Sequence, residues 1–414
     1  MTGKTGRFFY GWWIVLTAGI GLFFGYAPIV VYSFGVFLKP LLQEFHSSRG
    51  NISLAFTLAN LAQAISIPSF GRWTDRYGAR LVIVLASVIF ACTLISSLIL
   101  STRLWKLYLF YVLLGVCGSG VAPVPYGKVI ASWFDRKRGL ALGLTMFGLG
   151  SGAIVVPFLA QRLITMLGWR GAYAVIGLLV AAACVPVVGI FLRESPDKMG
   201  LLPDGEVVAQ ATVTSRRVAE GVTWHHTRHD PTFWRMAGAF FLVGASVHGC
   251  VVHLVPMLTD RGITAERAAL ASSLVGGALL IGRVGSGYLL DRFFAPRVAI
   301  FFFGGAGLGM LLLWSGAAGA IAYLAAFLVG LGMGAEVDII AFLTSRYFGL
   351  RAFGEIYGYA FASYALAGAL GPWVMGLGFD HTGSYRAVLA GFLMATLLAA
   401  AAMLRLGTYR YRPQ

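Results

Sequence analysis

The apolar residues of this chain are parcelled into runs of roughly 20 to 27 residues, and about 20 residues of α-helix are what it takes to cross a bilayer's hydrocarbon. Twelve such runs lie near residues 12–38, 53–72, 80–101, 107–133, 139–166, 171–192, 233–258, 266–290, 298–316, 320–346, 353–379 and 385–406. Apolar side chains fill 58% of the 414 positions and charged ones only 12%, which leaves a soluble domain nowhere to hide its hydrophobic surface. The sequence therefore predicts an all-α membrane protein with twelve transmembrane helices.

A formal net charge of +16 invites a nucleic-acid reading, but its distribution argues otherwise. With the N-terminus in the cytoplasm, 21 of the 32 lysines and arginines fall in cytoplasmic loops, tails and adjoining span ends, nine in outer loops and adjoining span ends, and two, Lys128 and Arg283, deeper inside spans. Cationic loops stay on the cytoplasmic side, so the basic excess sets orientation. It predicts a multi-pass protein of the cell inner (plasma) membrane with both termini cytoplasmic, lipid around it and no nucleic-acid partner. The first run follows Lys4 and Arg7, yet it is too long for a signal peptide and opens with Trp12 and Trp13 at the interface. It is read as a retained first helix. Cys92, Cys117, Cys184 and Cys250 lie in spans without metal-like spacing. Asn51-Ile52-Ser53 matches a glycosylation acceptor, but the expected role of Asn51 is a helix N-cap ahead of span 2.

The chain also repeats itself. Gly71-Arg72-Trp73-Thr74-Asp75-Arg76 after span 2 returns as Gly287-Tyr288-Leu289-Leu290-Asp291-Arg292 after span 8, 216 residues on. Trp133-Phe134 returns as Tyr347-Phe348, Gly143 and Pro157 as Gly358 and Pro372, and Trp169-Arg170 as Tyr385-Arg386. Landmarks in one order and register imply two pseudo-symmetric six-helix bundles, residues 1–193 and 233–414, joined by a polar cytoplasmic linker, 194–232. His225, His226 and His229 in the linker lack a carboxylate or thiol to complete a metal site, so no metal or cofactor is expected.

Gly71-x-x-x-Asp75-Arg76-x-Gly78-x-Arg80 resembles the loop signature of the major facilitator superfamily. Physically, Asp75 and Arg76, with Asp291 and Arg292 in the second copy, can engage helix ends and latch the halves in one conformation. Trp133-Phe134-Asp135-Arg136-Lys137-Arg138-Gly139-Leu140-Ala141-Leu142-Gly143 is similar to a signature of monocarboxylate transporters, relatives of the oxalate/formate exchangers. Tyr10-Gly11-Trp12-Trp13 and the segment from Arg193-x-Ser195-Pro196 to Pro203-Asp204-Gly205 also resemble that branch. The resemblance implies the major facilitator fold and alternating access by rocking of the two halves.

Residues that are costly to bury mark the candidate site. Arg283 in span 8 sits eight residues before Asp291, so about 12 Å of helix separates it from the loop. Its planar fork suits a carboxylate, and in the branch it resembles an arginine of helix 8 holds the substrate carboxylate. Glu336 and Asp338 on span 10 are the acids away from the span ends, and Asp338 lies at a depth similar to Arg283. An Arg283–Asp338 or Arg283–Glu336 pair would let substrate anion and proton enter together; both acids could equally serve the latch. His253, and less so His248, on span 7 suit substrate contact or proton coupling. Lys128 is expected to snorkel to the interface. Tyr26, Tyr32, Tyr126, Phe147, Phe342 and Tyr364 are candidate cavity-lining residues. Pro28, Pro123, Pro125, Pro256 and Pro372 allow bends. Gly330-x-Gly332-x-x-Ala335 imitates a dinucleotide fingerprint but lies inside a span without a preceding strand.

The chain departs from the animal monocarboxylate transporters in having Leu279 where they carry an aspartate four residues before the helix-8 arginine, and no lysine on span 1 before Lys39. Span 11 also lacks the lysine of oxalate exchangers. One fixed positive charge favours one carboxylate. The expected function is proton-coupled symport of a small monocarboxylate such as lactate or pyruvate by a monomer. Alternatives are exchange of organic anions or efflux of an amphipathic compound. No nucleophile elbow, His-x-x-x-His or phosphate loop suggests an enzyme.

Overall fold

A computed structural model describes residues 9–47, 49–205, 220–316 and 318–411. Among them, eleven helical stretches are long and apolar enough to cross a membrane. The first four are α1 (Gly11–Val31), α2 (Asn51–Tyr77), α3 (Ala79–Ile99) and α4 (Leu104–Trp133). The fifth runs 54 residues, Arg138–Phe191. As one helix it would be about 80 Å long, more than twice the hydrocarbon thickness. It breaks at Gly168, whose φ of 71° and ψ of 173° lie outside helical space and suit a residue without a Cβ. Residues 138–167 form α5 and 169–191 form α6. The rest are α7 (Pro231–Thr259), α8 (Leu270–Arg292), α9 (Ala295–Trp314), α10 (Gly319–Phe348), α11 (Phe353–Thr382) and α12 (Arg386–Leu404). Twelve spanning helices result, as the sequence predicts.

Lipid accounts for the pattern of exposure. On α5, Leu144, Phe147, Ile154, Val155 and Phe158 form an exposed apolar stripe, while Leu149 and Val156 on the other side are buried. In water that stripe would destabilise the fold; in hydrocarbon it costs nothing. α1 and α4 depart from regular helix midway. α1 widens around Pro28 into a π-helical turn, Ala27–Val31, and a separate helix, Phe34–Phe45, continues beyond it, so the predicted span 12–38 is two pieces. α4 passes into a 3-10 turn, Ser119–Val121, extends at Ala122 (φ −82°, ψ 171°), and restarts with Pro123 in its first turn. Proline there forfeits no helical hydrogen bond, because first-turn N–H groups have no partner in any helix. Pro28, Pro123 and Pro125 thus sit at two real discontinuities, while Pro256 and Pro372 lie inside helices that run on past them. Asn51 is not an N-cap: its helix begins at Arg49, and its side-chain amide donates to Ser47 Oγ over 3.1 Å.

The two halves meet where α2 packs on α11 and α5 on α8, the same contact made twice. The described ends of the chain share a face with the linker. Phe9 packs on Trp133 and Phe134, Val222 N donates to Phe348 O, and Tyr411 N donates to Arg346 O. That side is called the linker face below. Of the linker, residues 206–219 lie outside the described ones.

Candidate functional site

At the linker face each half caps a helix of the other. Asp75, at the end of α2, accepts from Gly354 N (2.9 Å) and Glu355 N (2.8 Å) in the first turn of α11. Asp291, at the end of α8, accepts from Gly139 N (2.5 Å) and Leu140 N (2.8 Å) in the first turn of α5. Both carboxylates meet unpaired N–H groups at the positive end of a helix dipole, which favours an anion. Close approach is possible because glycines meet at each crossing. A Cβ at Gly71 would strike the Gly354 carbonyl, and one at Gly139 the Gly287 carbonyl.

Residues to which the sequence reading gave no latch role complete this seal. Lys128 reaches Asp75 (2.9 Å) as well as Thr74 O. Arg346 holds Asp135 (2.6 Å), Arg138 donates to Ser345 Oγ (3.0 Å), and Arg72 pairs with Glu355 (2.9 Å). Asp204 of the linker accepts from the backbone N–H groups of Asp135, Arg136 and Lys137. Among the described residues, every hydrogen bond and ion pair between the halves lies on this face. The expected latch residues divide. Gly71, Asp75 and Asp291 stand at the crossings, whereas Arg76 and Arg292 are exposed and stack over Tyr77 and Tyr288 at 5.3 and 4.2 Å.

Two turns inward from Asp291 lies a charged centre. Arg283 of α8 is 3% exposed, and Asp338 and Glu336 of α10 are fully buried. Arg283 Nη1 stands 3.9 Å from Asp338 Oδ1, a loose pair, and Ser286 Oγ donates to Asp338 Oδ2 over 3.3 Å. α8 and α10 approach closely at glycines. A Cβ at Gly334 or Gly330 would meet the backbone of Leu279 or Val275. So the Gly330 segment serves helix packing, not a nucleotide. The centre is under-satisfied. Arg283 Nε and Nη1, both oxygens of Glu336, Asp338 Oδ1 and the Tyr357 hydroxyl make no hydrogen bond. The Tyr364 hydroxyl and the Arg283 guanidinium are within electrostatic reach of Glu336, and Tyr32 and Tyr357 are within reach of Arg283. Buried charge so weakly paired is costly, and native proteins keep such groups where a ligand or proton completes them.

A cavity of about 60 Å³ adjoins the discontinuities of α1 and α4. Tyr26, Pro28, Gln63, Pro123, Leu149 and, from the other half, Phe361 are among its walls. Phe361 packs against Tyr364 at 5.8 Å, which links this cavity to the charged centre. Irregular backbone inside a membrane is tolerated where it borders such a cavity.

Of the expected site residues, the structure brings together Arg283, Asp338, Glu336, Tyr364 and Tyr32. Four others lie elsewhere. Tyr126 is buried against Gly21 of α1 and near Cys184 of α6, inside the first half. Phe147 belongs to the exposed stripe of α5, on the side away from cavity-lining Leu149. Phe342 packs under the guanidinium of Arg346 at 5.2 Å, toward the linker face. His253 engages Pro372 O (3.1 Å) and the Tyr385 hydroxyl (3.4 Å) at the opposite end of the second half. His248, the less favoured histidine, packs its ring on Tyr364 and is the nearer of the two to the centre.

Along residues 18–372 the chain matches the family model of the Major Facilitator Superfamily. It is 27% identical over 410 residues to monocarboxylate transporter 11 of Mus musculus, covering 93% of this chain and 86% of that protein. To monocarboxylate transporter 12-B of Danio rerio it is 24% identical over 424 residues, covering 95% and 88%. In three dimensions it is similar to a bacterial homologue of the iron transporter ferroportin crystallised in an outward-facing state. The TM-score is 0.74 at 17% identity, over 96% of this chain and 99% of that one, a likeness of fold.

Proposed function

Since this chain belongs to the major facilitator superfamily and is a transporter rather than an enzyme, we propose that it carries a small monocarboxylate together with a proton by alternating access. The observation that supports this reading best is Arg283: a permanent cation, buried, with two donor nitrogens unpartnered and only a 3.9 Å pair to Asp338. Its guanidinium matches a carboxylate in charge and geometry. In the proposed cycle the linker face is cytoplasmic and sealed, so substrate enters from outside. The carboxylate takes the Arg283 donors, Asp338 loses its partner, and a proton arriving with the substrate neutralises it. Arg283 and Asp338, neither left with an uncompensated charge, can then cross the occluded state, the Asp75 and Asp291 caps release, and the cytoplasmic side opens. Residues 1–193 and 233–414 are the rocking bodies, the working unit is a monomer in the cell inner membrane, and both termini are cytoplasmic.

The test is uptake of labelled L-lactate into proteoliposomes under an inward proton gradient, comparing native protein with Arg283→Ala. Uptake that collapses with a protonophore and with the substitution supports proton symport through Arg283. Gradient-independent counterflow would replace symport by anion exchange. No carboxylate uptake by well-folded native protein would discard the substrate class.

A further inference from the structure

We infer that the substrate is a zwitterion: its carboxylate bonds Arg283, and a cationic amino group of the same molecule bonds Glu336. The inference rests on the carboxylate reading above and adds the second pole of the substrate.

The centre holds one cation and two acids, and the acids point different ways. Residues two apart on an α-helix are separated by about 200°. Asp338 is therefore turned to α8, where Arg283 and Ser286 meet it, and Glu336 is turned elsewhere, with Tyr364 of α11 in reach. Asp338 thus has a resident partner. Glu336 is fully buried beside the Tyr364 hydroxyl, and among the described residues the cation whose field reaches it is Arg283, the one Asp338 shares. The proposal has Glu336 ionised when substrate binds, and a charge count follows from that. A simple monocarboxylate arriving with one proton leaves Arg283 matched to the substrate, Asp338 neutral and Glu336 as a buried, uncompensated anion. An ammonium group on the substrate closes that count and supplies donors to the Glu336 carboxylate. Arg283 lies within electrostatic reach of Glu336, so the two poles can be served by one small molecule. No charged side chain lines the neighbouring 60 Å³ cavity, whose wall includes Leu22, Val31, Leu149 and Phe361 and suits the apolar remainder. The substrate class is an amino acid or a similar small amino-carboxylate.

The experiment compares matched pairs that differ in one group, L-alanine with L-lactate and L-phenylalanine with L-3-phenyllactate, in proteoliposomes of the full-length protein. Native protein, Glu336→Gln and Arg283→Ala are measured side by side, with monodispersity of each variant as the folding control. The expected result is kcat/KM at least tenfold higher for the amino member of a pair. Glu336→Gln should lower kcat/KM for the amino member of each pair at least tenfold more than for the hydroxy acid, and Arg283→Ala should abolish both. A proton moving with a zwitterion also carries net charge, so an inside-negative potential of 100 mV should raise amino-acid accumulation by up to about 50-fold. It should leave lactate uptake unchanged. Equal or better uptake of the hydroxy acids, unaffected by Glu336→Gln, overturns the zwitterion while the monocarboxylate reading stands. Absence of uptake for all four solutes by well-folded native protein overturns the carboxylate reading and this inference with it.

Discussion

Removing one of the two crossed caps should change which side of the protein is closed. Asp75→Ala deletes a carboxylate that accepts two N–H bonds from the first turn of α11 and holds Lys128 at 2.9 Å. A hydrogen bond to a charged group contributes about 1.5–3 kcal/mol, and the freed N–H groups at this partly exposed face regain some of it from water. A net loss of about 3 kcal/mol to the linker-closed state follows, about 150-fold in the ratio of linker-closed to linker-open protein. A population 99% closed would fall to about 40%. The assay is the distance between spin labels at Ile99→Cys, 86% exposed at the outer end of α3, and Ser315→Cys, exposed beyond α9. Both are placed in a background lacking the four native cysteines. A second, shorter distance should appear, and Asp291→Ala should produce the same population because it breaks the symmetry-related cap. An Asp75→Ala/Asp291→Ala protein with the native distance distribution would refute the idea that these carboxylates hold the face shut.

Two further outcomes are expected. Gly71→Ala places a methyl against the Gly354 carbonyl, which disfavours closure of α2 on α11, yet alanine is the better helix former by about 1 kcal/mol. The spin labels should therefore report opening without a fall in Tm; a lowered Tm with unchanged distances would contradict this. Partial burial works against charge on Asp230, but Arg410 and the Thr232 donors together hold its carboxyl below the usual range. A depressed value contributes stability above the ordinary carboxylate range that is lost only as pH falls through the lowered value, so the C-terminal tail stays docked to below about pH 4. Asp230→Asn at neutral pH should speed tryptic cleavage at Arg410 several-fold, and an unchanged rate would remove Asp230 from tail docking.

What the sequence shows of this protein follows from which forces are local. Span length and the 216-residue repeat are properties of the chain itself, so twelve helices in two matching halves could be read from it. Arg283 and Asp338 could be paired because each stands a countable number of turns from a landmark. Phe147 could not be placed: α5 is apolar on every side, so its periodicity does not distinguish lipid from cavity. Arg76 and Arg292 sit in the expected loops, but each found an adjacent tyrosine, a choice made by local backbone direction. Asp135–Arg346 and Asp204 at the start of α5 join residues 211 and about 68 positions apart, and no spacing announces such pairs.

The crossed caps also bear on ancestry. Asp75 of the first half holds the second, and Asp291 of the second holds the first, so each half carries both a carboxylate and the helix terminus that receives one. A contact in which the same patch supplies both sides is the isologous interface of a two-fold homodimer. A single six-helix unit with this loop would already have been able to close upon another copy of itself. Arg283 and Asp338 have no counterpart pair in the first half, whereas the caps are matched, so the halves differ at the centre and agree at the crossings.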